Sequence, residues 1–140
     1  MSGNRIIHTP EEIIRIRRAA QVTAEVRDRI AGAIEPGMST AQLDQIAGAY
    51  IAETGGTSAF LGYCGFPGNI CISLNEVVVH GIGSADQIIR EGDVVSIDVG
   101  VTFEGGIGDN AKTVYVGDGD MPEDISRLLK FTESALEAGL

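Results

Sequence analysis

The segment DVVSIDVGVTFEGGIGDNAKTVYV, residues 93–116, has the pattern of a β-hairpin, and few other structures would satisfy it. In its first arm, apolar residues alternate with small or polar residues, which is the two-residue period of a strand with one buried face. The apolar set is Val95, Ile97, Val99 and Val101, and the opposite set is Ser96, Asp98, Gly100 and Thr102. Glu104-Gly105-Gly106 is the turn signal between the arms. We therefore predict two antiparallel strands joined by a tight turn.

Asp98 and Asp109 are the two carboxylates that this hairpin presents. Asp109 shares a face of the second arm with small and apolar side chains, where a carboxylate must find a cation or hydrogen bonds, or become protonated. Two aspartates on facing arms can lie within reach of one hard divalent cation. The spacing leaves two alternatives open, a metal site or a solvated strand face with an aspartate beside the turn.

The register of the hairpin decides how far apart the two aspartates lie. A turn centred on Gly105-Gly106 would pair Asp98 with Thr113, several positions from Asp109. A closer approach needs a turn nearer to Glu104, or a bulge at one of the glycines in the second arm. Glycines stand where such a bulge would form.

Helix signals precede the hairpin. Thr9-Pro10-Glu11-Glu12 combines a capping residue, a proline at the first helical position and a capping box, and this helix should end near Ile34, before a Pro-Gly pair. Ser39 or Thr40 caps a second helix, which Gly55-Gly56 ends. Two amphipathic helices in series need a sheet on which to bury their apolar faces. A third helix starts at the MPE sequence of residues 121–123 and runs towards the end of the chain.

Between the second helix and the hairpin lies a glycine-rich loop, Ser58 to Gly68, whose glycines match no phosphate-binding pattern. Its three aromatic residues either anchor the loop in the core or line an apolar substrate pocket. Asn69 to Leu74 and Val77 to His80 are expected to be strand. His80 itself is either a structural residue at a strand end or a proton carrier or ligand.

Composition limits the class of protein. A chain of 140 residues suits a single domain, residues 1–140, with a sizeable core. A net charge of −10 argues against a nucleic-acid binder and disfavours anionic membrane surfaces. No stretch has the length of a membrane span, and MSGNRIIHTPEE lacks the apolar core of a signal peptide, so a cytoplasmic location is expected.

The spacing of Cys64 and Cys71 matches no zinc or redox motif, so we expect two buried, reduced thiols.

Three segments, CISLNEVVVHGI, DVVSIDVG and IGDNAKTVYVGD, resemble the N-terminal half of a type I methionine aminopeptidase, a member of the M24 "pita-bread" metallopeptidases. The resemblance spans nearly the whole chain, from the TPEEI helix start through PGMSTAQLD to the last helix. It implies an α+β fold, half of a pita-bread architecture, in which two or three helices cover a curved antiparallel sheet. It also implies a hydrolase, a metallo-aminopeptidase that removes the N-terminal methionine of nascent proteins.

The resemblance assigns roles to individual residues. It implies a centre of two divalent ions (Mn, Co, Fe or Zn) with five protein ligands, in which Asp98 chelates one ion and Asp109 bridges both. His80 falls on the histidine that holds the substrate amide or assists proton transfer. The positions implied for the methionine side-chain pocket are Phe60, Tyr63, Phe66 and Cys71, and those implied for a monovalent cation are Asn75 and Val77.

The family's catalytic domain is nearly twice this long, and its other ligands, one His and two Glu, come from the second half. The chain therefore carries two of five ligands, and we expect weak peptidase activity or none from it alone. The implied substrate is an N-terminal methionyl peptide, and the implied partner is the missing C-terminal half or a second copy. The alternative is a non-catalytic half-domain that forms a homodimer and mimics the full fold.

Overall fold

The computed structural model describes residues 7–140. Its elements in chain order are α1 (Pro10–Gly32), α2 (Thr40–Glu53), β1 (Thr57–Ser58), a 3₁₀ turn (Tyr63–Gly65), β2 (Cys71–Leu74), β3 (Val94–Phe103), β4 (Gly106–Tyr115) and α3 (Glu123–Gly139). The N-terminal segment that was compared with a signal peptide begins with residues 1–6. These residues lie outside the described part of the chain. Among residues 7–140, no helix combines the length and the apolar character needed to cross a bilayer.

Strand β3 is the centre of a four-stranded antiparallel sheet. Strand β4 pairs with it along its whole length on one side, and β1 and β2 pair with it on the other. The apolar set of β3 is fully buried and faces α1 and α2, which contribute Val26, Ile30, Leu43, Ala47 and Ile51 to the same core. The predicted α+β class is thus confirmed, and the helices cover one face of the sheet.

The two N-terminal helices begin where their capping signals predict. The Thr9 backbone N–H donates to the Glu12 carboxylate at 2.7 Å, and the Glu12 N–H donates to the Thr9 hydroxyl at 3.2 Å, which completes a capping box. Ser39 and Gln42 form the equivalent box at α2. Helix α1 ends at Gly32, two residues before the predicted Ile34.

Helix α1 lies unusually close to β4 because two positions of that strand have no side chain. A Cβ atom at Gly106 would lie 2.5 Å from the Arg15 carbonyl oxygen, and one at Gly108 would lie 2.5 Å from the Ala19 carbonyl oxygen. The Thr23 hydroxyl, which donates to the Ala19 carbonyl at 2.8 Å, fills the remaining space. These glycines therefore serve helix–strand packing, and the bulge considered for them is absent since β3 and β4 pair without interruption.

The prediction of a strand over Val77–His80 is wrong. The residues after β2 turn away from the sheet, because Asn75 has a φ of +52° and the Val77 N–H bonds back to the Leu74 carbonyl at 3.0 Å. The three valines that suggested a strand are exposed, Val78 to 85%. The preceding strand is also shorter than predicted and begins at Cys71 rather than Asn69.

Helix α3 forms at the predicted place but buries none of its residues. Three of its large apolar side chains are mostly exposed, Leu128 at 61%, Phe131 at 67% and Leu136 at 65%, while Ile125 and Leu129 are half-buried. A helix with an apolar stripe normally packs that stripe against another element. Most of the stripe of α3 is therefore uncovered among residues 7–140.

The α1–β4 contact yields a stability prediction. Gly108→Ala should lower the free energy of unfolding by about 2 kcal/mol, since the added methyl group meets helix backbone that cannot move aside. Urea unfolding followed by circular dichroism measures this change. Gly119→Ala is the matched control because nothing lies within 4 Å of a Cβ at that loop position. Equal stability of the two variants would contradict the close packing.

Candidate active site

A two-residue loop fixes the register of the hairpin. Glu104 and Gly105 have φ angles of +49° and +77°, as a type I′ turn requires. Asp98 pairs with Ala111, and Asp109 pairs with Gly100. The turn is thus one position earlier than a turn centred on Gly105-Gly106, which would have paired Asp98 with Thr113.

This register places Asp98 and Asp109 on the same face of the sheet as diagonal neighbours. Gly100 is two residues from Asp98, so its partner Asp109 lies on the same side of the pleat. Diagonal neighbours are about 7–8 Å apart at the backbone, within reach of one another's side chains. The two carboxylates are not directly opposite, yet they converge without any bulge.

A cavity of about 480 Å³ opens on this face of the sheet. Both aspartates, His80 and the four residues predicted for a methionine pocket line it. The full lining is Phe60, Tyr63, Cys64, Gly65, Phe66, Pro67, Cys71, His80, Ile82, Asp98 and Asp109. The structure therefore brings together residues from the glycine-rich loop, the segment after β2, and the hairpin.

Phe60, in the cavity wall, packs against Gly100 of β3. A Cβ atom at position 100 would lie 2.5 Å from Cε1 of the Phe60 ring, so the ring rests directly on the glycine backbone. Phe66 is half-buried beside it, whereas Tyr63 is 72% exposed at the mouth. Of the two alternatives for these aromatics, the structure favours an apolar pocket over anchoring in the core.

The two cysteines differ in their surroundings, and the expectation that both are buried is wrong for Cys64. Cys64 is exposed with a φ of +49°, because it sits in a tight surface turn between two glycines. Cys71 is buried on β2, directly opposite Asp98. Burial, with the charges of Asp98 and Asp109 adding to it, raises the pKa of the Cys71 thiol to about 11. This thiol is therefore a neutral, apolar part of the cavity floor at physiological pH.

His80 is held at the cavity by the residue that follows it. The Ile72 N–H donates to the Gly81 carbonyl at 2.9 Å, and the Gly81 N–H donates to the Ser73 hydroxyl at 3.1 Å. A Cβ atom on Gly81 would overlap the Ile72 carbonyl oxygen, so only glycine allows this contact. His80 itself has a φ of +58°, which turns the chain at this point. The imidazole thus reaches the cavity from a turn that is tied to β2, not from a strand end.

Electrostatics single out Asp98. Burial, followed by the charge of Asp109, raises the pKa of Asp98 to about 6, while His80 and the Val99 backbone N–H act in the opposite direction. Within residues 7–140, no salt bridge includes either aspartate. Two neighbouring carboxylates without a cation repel each other, and proton uptake or a metal ion relieves that repulsion.

The donor set fits a divalent ion, but only in part. Asp98 and Asp109 would hold it through hard carboxylate oxygens. Across the described residues, no three His, Cys, Asp or Glu side chains converge as a metal-binding group. The described residues therefore offer two such ligands, and water or other groups would have to complete the coordination.

Asn75 and Val77 do not line the cavity. The Asn75 side chain is bonded to the start of β3, where its oxygen accepts from the Val94 N–H at 2.9 Å and its amide donates to the Asp93 carboxylate at 2.9 Å. Their role in binding a monovalent cation stays a prediction, as do the roles of His80 and the two aspartates.

Several residues that shape the site were missed from the sequence. Ile82 and Cys64 line the cavity, and Ser73 holds the turn that carries His80. Asp44, on α2, binds the base of the glycine-rich loop. Ser73, Ile82 and Asp44 lie in segments that carry the family resemblance, but their roles could not be read from those segments because the contacts depend on how distant parts of the chain meet.

Comparison with known proteins gives a consistent result. The sequence profile of metallopeptidase family M24 matches residues 14–140. Methionine aminopeptidase 1 of Bacillus subtilis is 41% identical over 135 residues, which are 96% of this chain and 53% of that protein. The Escherichia coli methionine aminopeptidase is 42% identical over 96% of this chain and 50% of its own length. The crystal structure of methionine aminopeptidase from Rickettsia prowazekii superposes with a TM-score of 0.88 at 36% identity, covering 94% of this chain and 52% of that one. The chain thus spans about half the length of the relatives it matches.

The raised pKa of Asp98 predicts how stability changes with pH. The folded state holds the Asp98 proton more tightly than the unfolded state, where the pKa is near 3.8, so the metal-free protein should lose stability as pH rises from about 4 to about 6. The loss should be about 1–2 kcal/mol once solvent screening is allowed for. Urea unfolding in EDTA across this range measures it. Asp98→Asn should abolish this part of the pH dependence, whereas Asp86→Asn, at an exposed site outside the cavity, should retain it.

Proposed function

Because the chain belongs to metallopeptidase family M24, we propose that it contributes half of a metal-dependent methionyl aminopeptidase site. The reaction is hydrolysis of the peptide bond after an N-terminal methionine, on nascent proteins in the cytoplasm. The observation that carries the proposal is the convergence of Asp98 and Asp109 on one side of an apolar cavity that His80 also lines.

The cavity suits the methionine side chain. Its walls are mainly aromatic and aliphatic, and the neutral thiol of Cys71 lies on the floor. A flexible thioether gains from contacts between its sulfur and aromatic rings, which Phe60 and Phe66 offer. Apolar walls with a few polar groups at one end are typical of sites that orient a small ligand.

Asp98 and Asp109 are the residues that would hold divalent ions, with Mn, Co, Fe or Zn as candidates. When bound, such ions supply Lewis-acid polarisation of a carbonyl and activation of water. His80, on the same cavity, is placed to hydrogen-bond the substrate amide or to carry a proton, for which an imidazole is suited near neutral pH. A monovalent cation bound through oxygens of Asn75 and Val77 would brace the turn that follows β2.

Two aspartates do not make a full hydrolytic centre. The proposal therefore includes ligands from outside residues 1–140, one histidine and two glutamates by resemblance to the family. The chain alone should bind a divalent ion weakly, because few ligands are fixed in advance. Cleavage of a methionyl peptide should be slow or absent until the remaining ligands are supplied.

Isothermal titration with Mn²⁺ tests the metal-binding half of the proposal. The wild-type chain should give a binding heat that Asp109→Ala removes, because one carboxylate alone holds the ion too weakly. Asp86→Ala, which removes an equal charge outside the cavity, should keep the binding heat. Identical titrations for wild type and Asp109→Ala would refute the metal site.

Cleavage of a methionyl peptide by the metal-loaded chain, alone and with a C-terminal half of a relative, tests the activity.

A second candidate function is a non-catalytic half-domain that forms a homodimer, and exposed apolar surface favours it. Helix α3 leaves most of its apolar stripe in solvent, and within the described residues β4 pairs only with β3, so its outer edge carries no strand. Uncovered stripes and strand edges promote association. A two-fold dimer through these surfaces would bring four aspartates into one assembly.

Sedimentation equilibrium tests this candidate. The wild-type chain should dimerise at tens of micromolar, and Leu128→Glu, which places a charge in the apolar stripe of α3, should weaken dimerisation at least about tenfold. Ser134→Glu, on the polar side of the same helix, should leave it unchanged. A wild-type chain that stays monomeric would exclude the homodimer without bearing on the metal site.

A further inference from the structure

The glycine-rich loop that walls the cavity is closed at its base by one side chain. The Ser58 hydroxyl donates to the Asn69 carbonyl at 2.6 Å, which joins the two ends of the loop. The same oxygen accepts from the backbone N–H groups of Phe60 and Leu61, both at 3.0 Å. Residues 58–69 thus form a closed loop whose ends meet at Asn69.

Asp44 anchors this base to α2. Its Oδ1 accepts from the backbone N–H of Asn69 at 2.8 Å and from that of Ile70 at 3.1 Å, and its Oδ2 accepts from the Asn69 side-chain amide at 2.9 Å. Gly48, one turn further along α2, makes room for the contact, since a Cβ atom there would lie 2.9 Å from the Asn69 amide nitrogen. The three bonds and the close fit fix the base of the loop on a helix that is itself packed in the core.

The first part of the loop is also held by β3, because the Ala59 N–H donates to the Gly100 carbonyl at 2.9 Å, but residues 61–66 have little else to hold them. Leu61, Tyr63 and Cys64 are exposed, and the internal bonds, such as Gly62 N–H to the Phe66 carbonyl at 2.8 Å, tie the loop only to itself. Phe66 therefore takes its position in the cavity wall from where the base of the loop is fixed, whereas Phe60 depends on both the base and the Ala59–Gly100 bond.

We propose that Asp44 is a positioning residue for the cavity: by anchoring Asn69 and Ile70 to α2, it holds the aromatic wall over the two aspartates. Asp44 does not line the cavity, so it acts through the loop and through its charge, which adds to burial and to the charges of Asp98 and Asp109 in raising the pKa of the Cys71 thiol. The inference deepens the proposed function, because the wall that Asp44 fixes is the one assigned to the methionine side chain.

Two substitutions separate the effect of the Asp44 hydrogen bonds from the effect of its charge. In Asp44→Asn, the amide oxygen still accepts from both backbone N–H groups, and a flipped Asn69 amide can accept from the new NH₂ group. In Asp44→Ala, all three donors lose the carboxylate, and only the longer bond of 3.4 Å from the Asn69 amide to the backbone carbonyl of residue 44 remains. The asparagine variant should therefore preserve the wall, and the alanine variant should loosen it, although both remove the same charge.

The rate at which DTNB labels Cys71 reports how well the aromatic wall shields this thiol, and it requires no assumption about the function of the protein. In a Cys64→Ser background, Cys71 is the only thiol, and it lies buried on the floor beneath the loop. In EDTA at pH 8, Asp44→Ala should raise its labelling rate about tenfold or more, which corresponds to about 1.4 kcal/mol less protection. Asp44→Asn should stay within about twofold of the parent.

Two further variants separate a local effect from a general one. Gly48→Ala should also accelerate labelling, because the added methyl group displaces Asn69 while the Asp44 charge is kept. Ile30→Val, which weakens the packing of α1 in the core and lies outside the cavity, should not do so while the protein remains folded. Equal acceleration by Asp44→Ala and Asp44→Asn would mean that charge alone acts on the thiol and would overturn the proposal, as would unchanged labelling in Asp44→Ala.

A second experiment measures the kinetics of methionyl-peptide cleavage by the metal-loaded chain. A complementing C-terminal half is added where cleavage requires it. Asp44→Ala should raise KM at least about fivefold with a smaller change in kcat, and Asp44→Asn should restore KM. A chain that shows the labelling pattern but cleaves nothing even with metal and a complementing half would refute the proposed function while upholding the role of Asp44. Normal labelling together with an unchanged KM in Asp44→Ala would refute that role alone.

Discussion

Burial of every second residue of β3 against α1 and α2 is the constraint on which the rest of the molecule depends. Val95, Ile97, Val99 and Val101 are fully buried on that face. Because side chains alternate along a strand, the same burial obliges Asp98 to point to the other face. A slip of one residue would bury Asp98 and expose four large apolar side chains, so the core itself enforces the orientation of the acidic pair.

Features set by local chemistry could be predicted from the sequence. The capping boxes at Thr9 and Ser39, the α+β class and the hairpin all follow from residues within a few positions of each other. The exact register could not, because it depends on Glu104 adopting a left-handed conformation that glycine usually fills. The strand expected over Val77–His80 failed for a related reason: the β-propensity of the valines lost to the turn at Asn75.

For the candidate site, only the identities of the residues could be predicted from the sequence. Resemblance to the family named Phe60, Cys71, His80 and the two aspartates, and the structure gathers these around one cavity. The supports of that cavity were not foreseen, since Asp44 lies 25 residues before Asn69 in the chain and no motif links them. Hydrogen bonds between such distant positions are a property of the folded chain, and sequence pattern carries no sign of them.

The contact between Phe60 and Gly100 has a consequence for how this cavity can vary. The aromatic ring occupies the space that a side chain at position 100 would need. The sizes of the two residues are therefore reciprocal: any enlargement at the strand position must be matched by a reduction in the loop. Redesign of the cavity would therefore have to change residues 60 and 100 together, with a larger residue at one position and a smaller one at the other. Asp98 and Asp109 would stay in place.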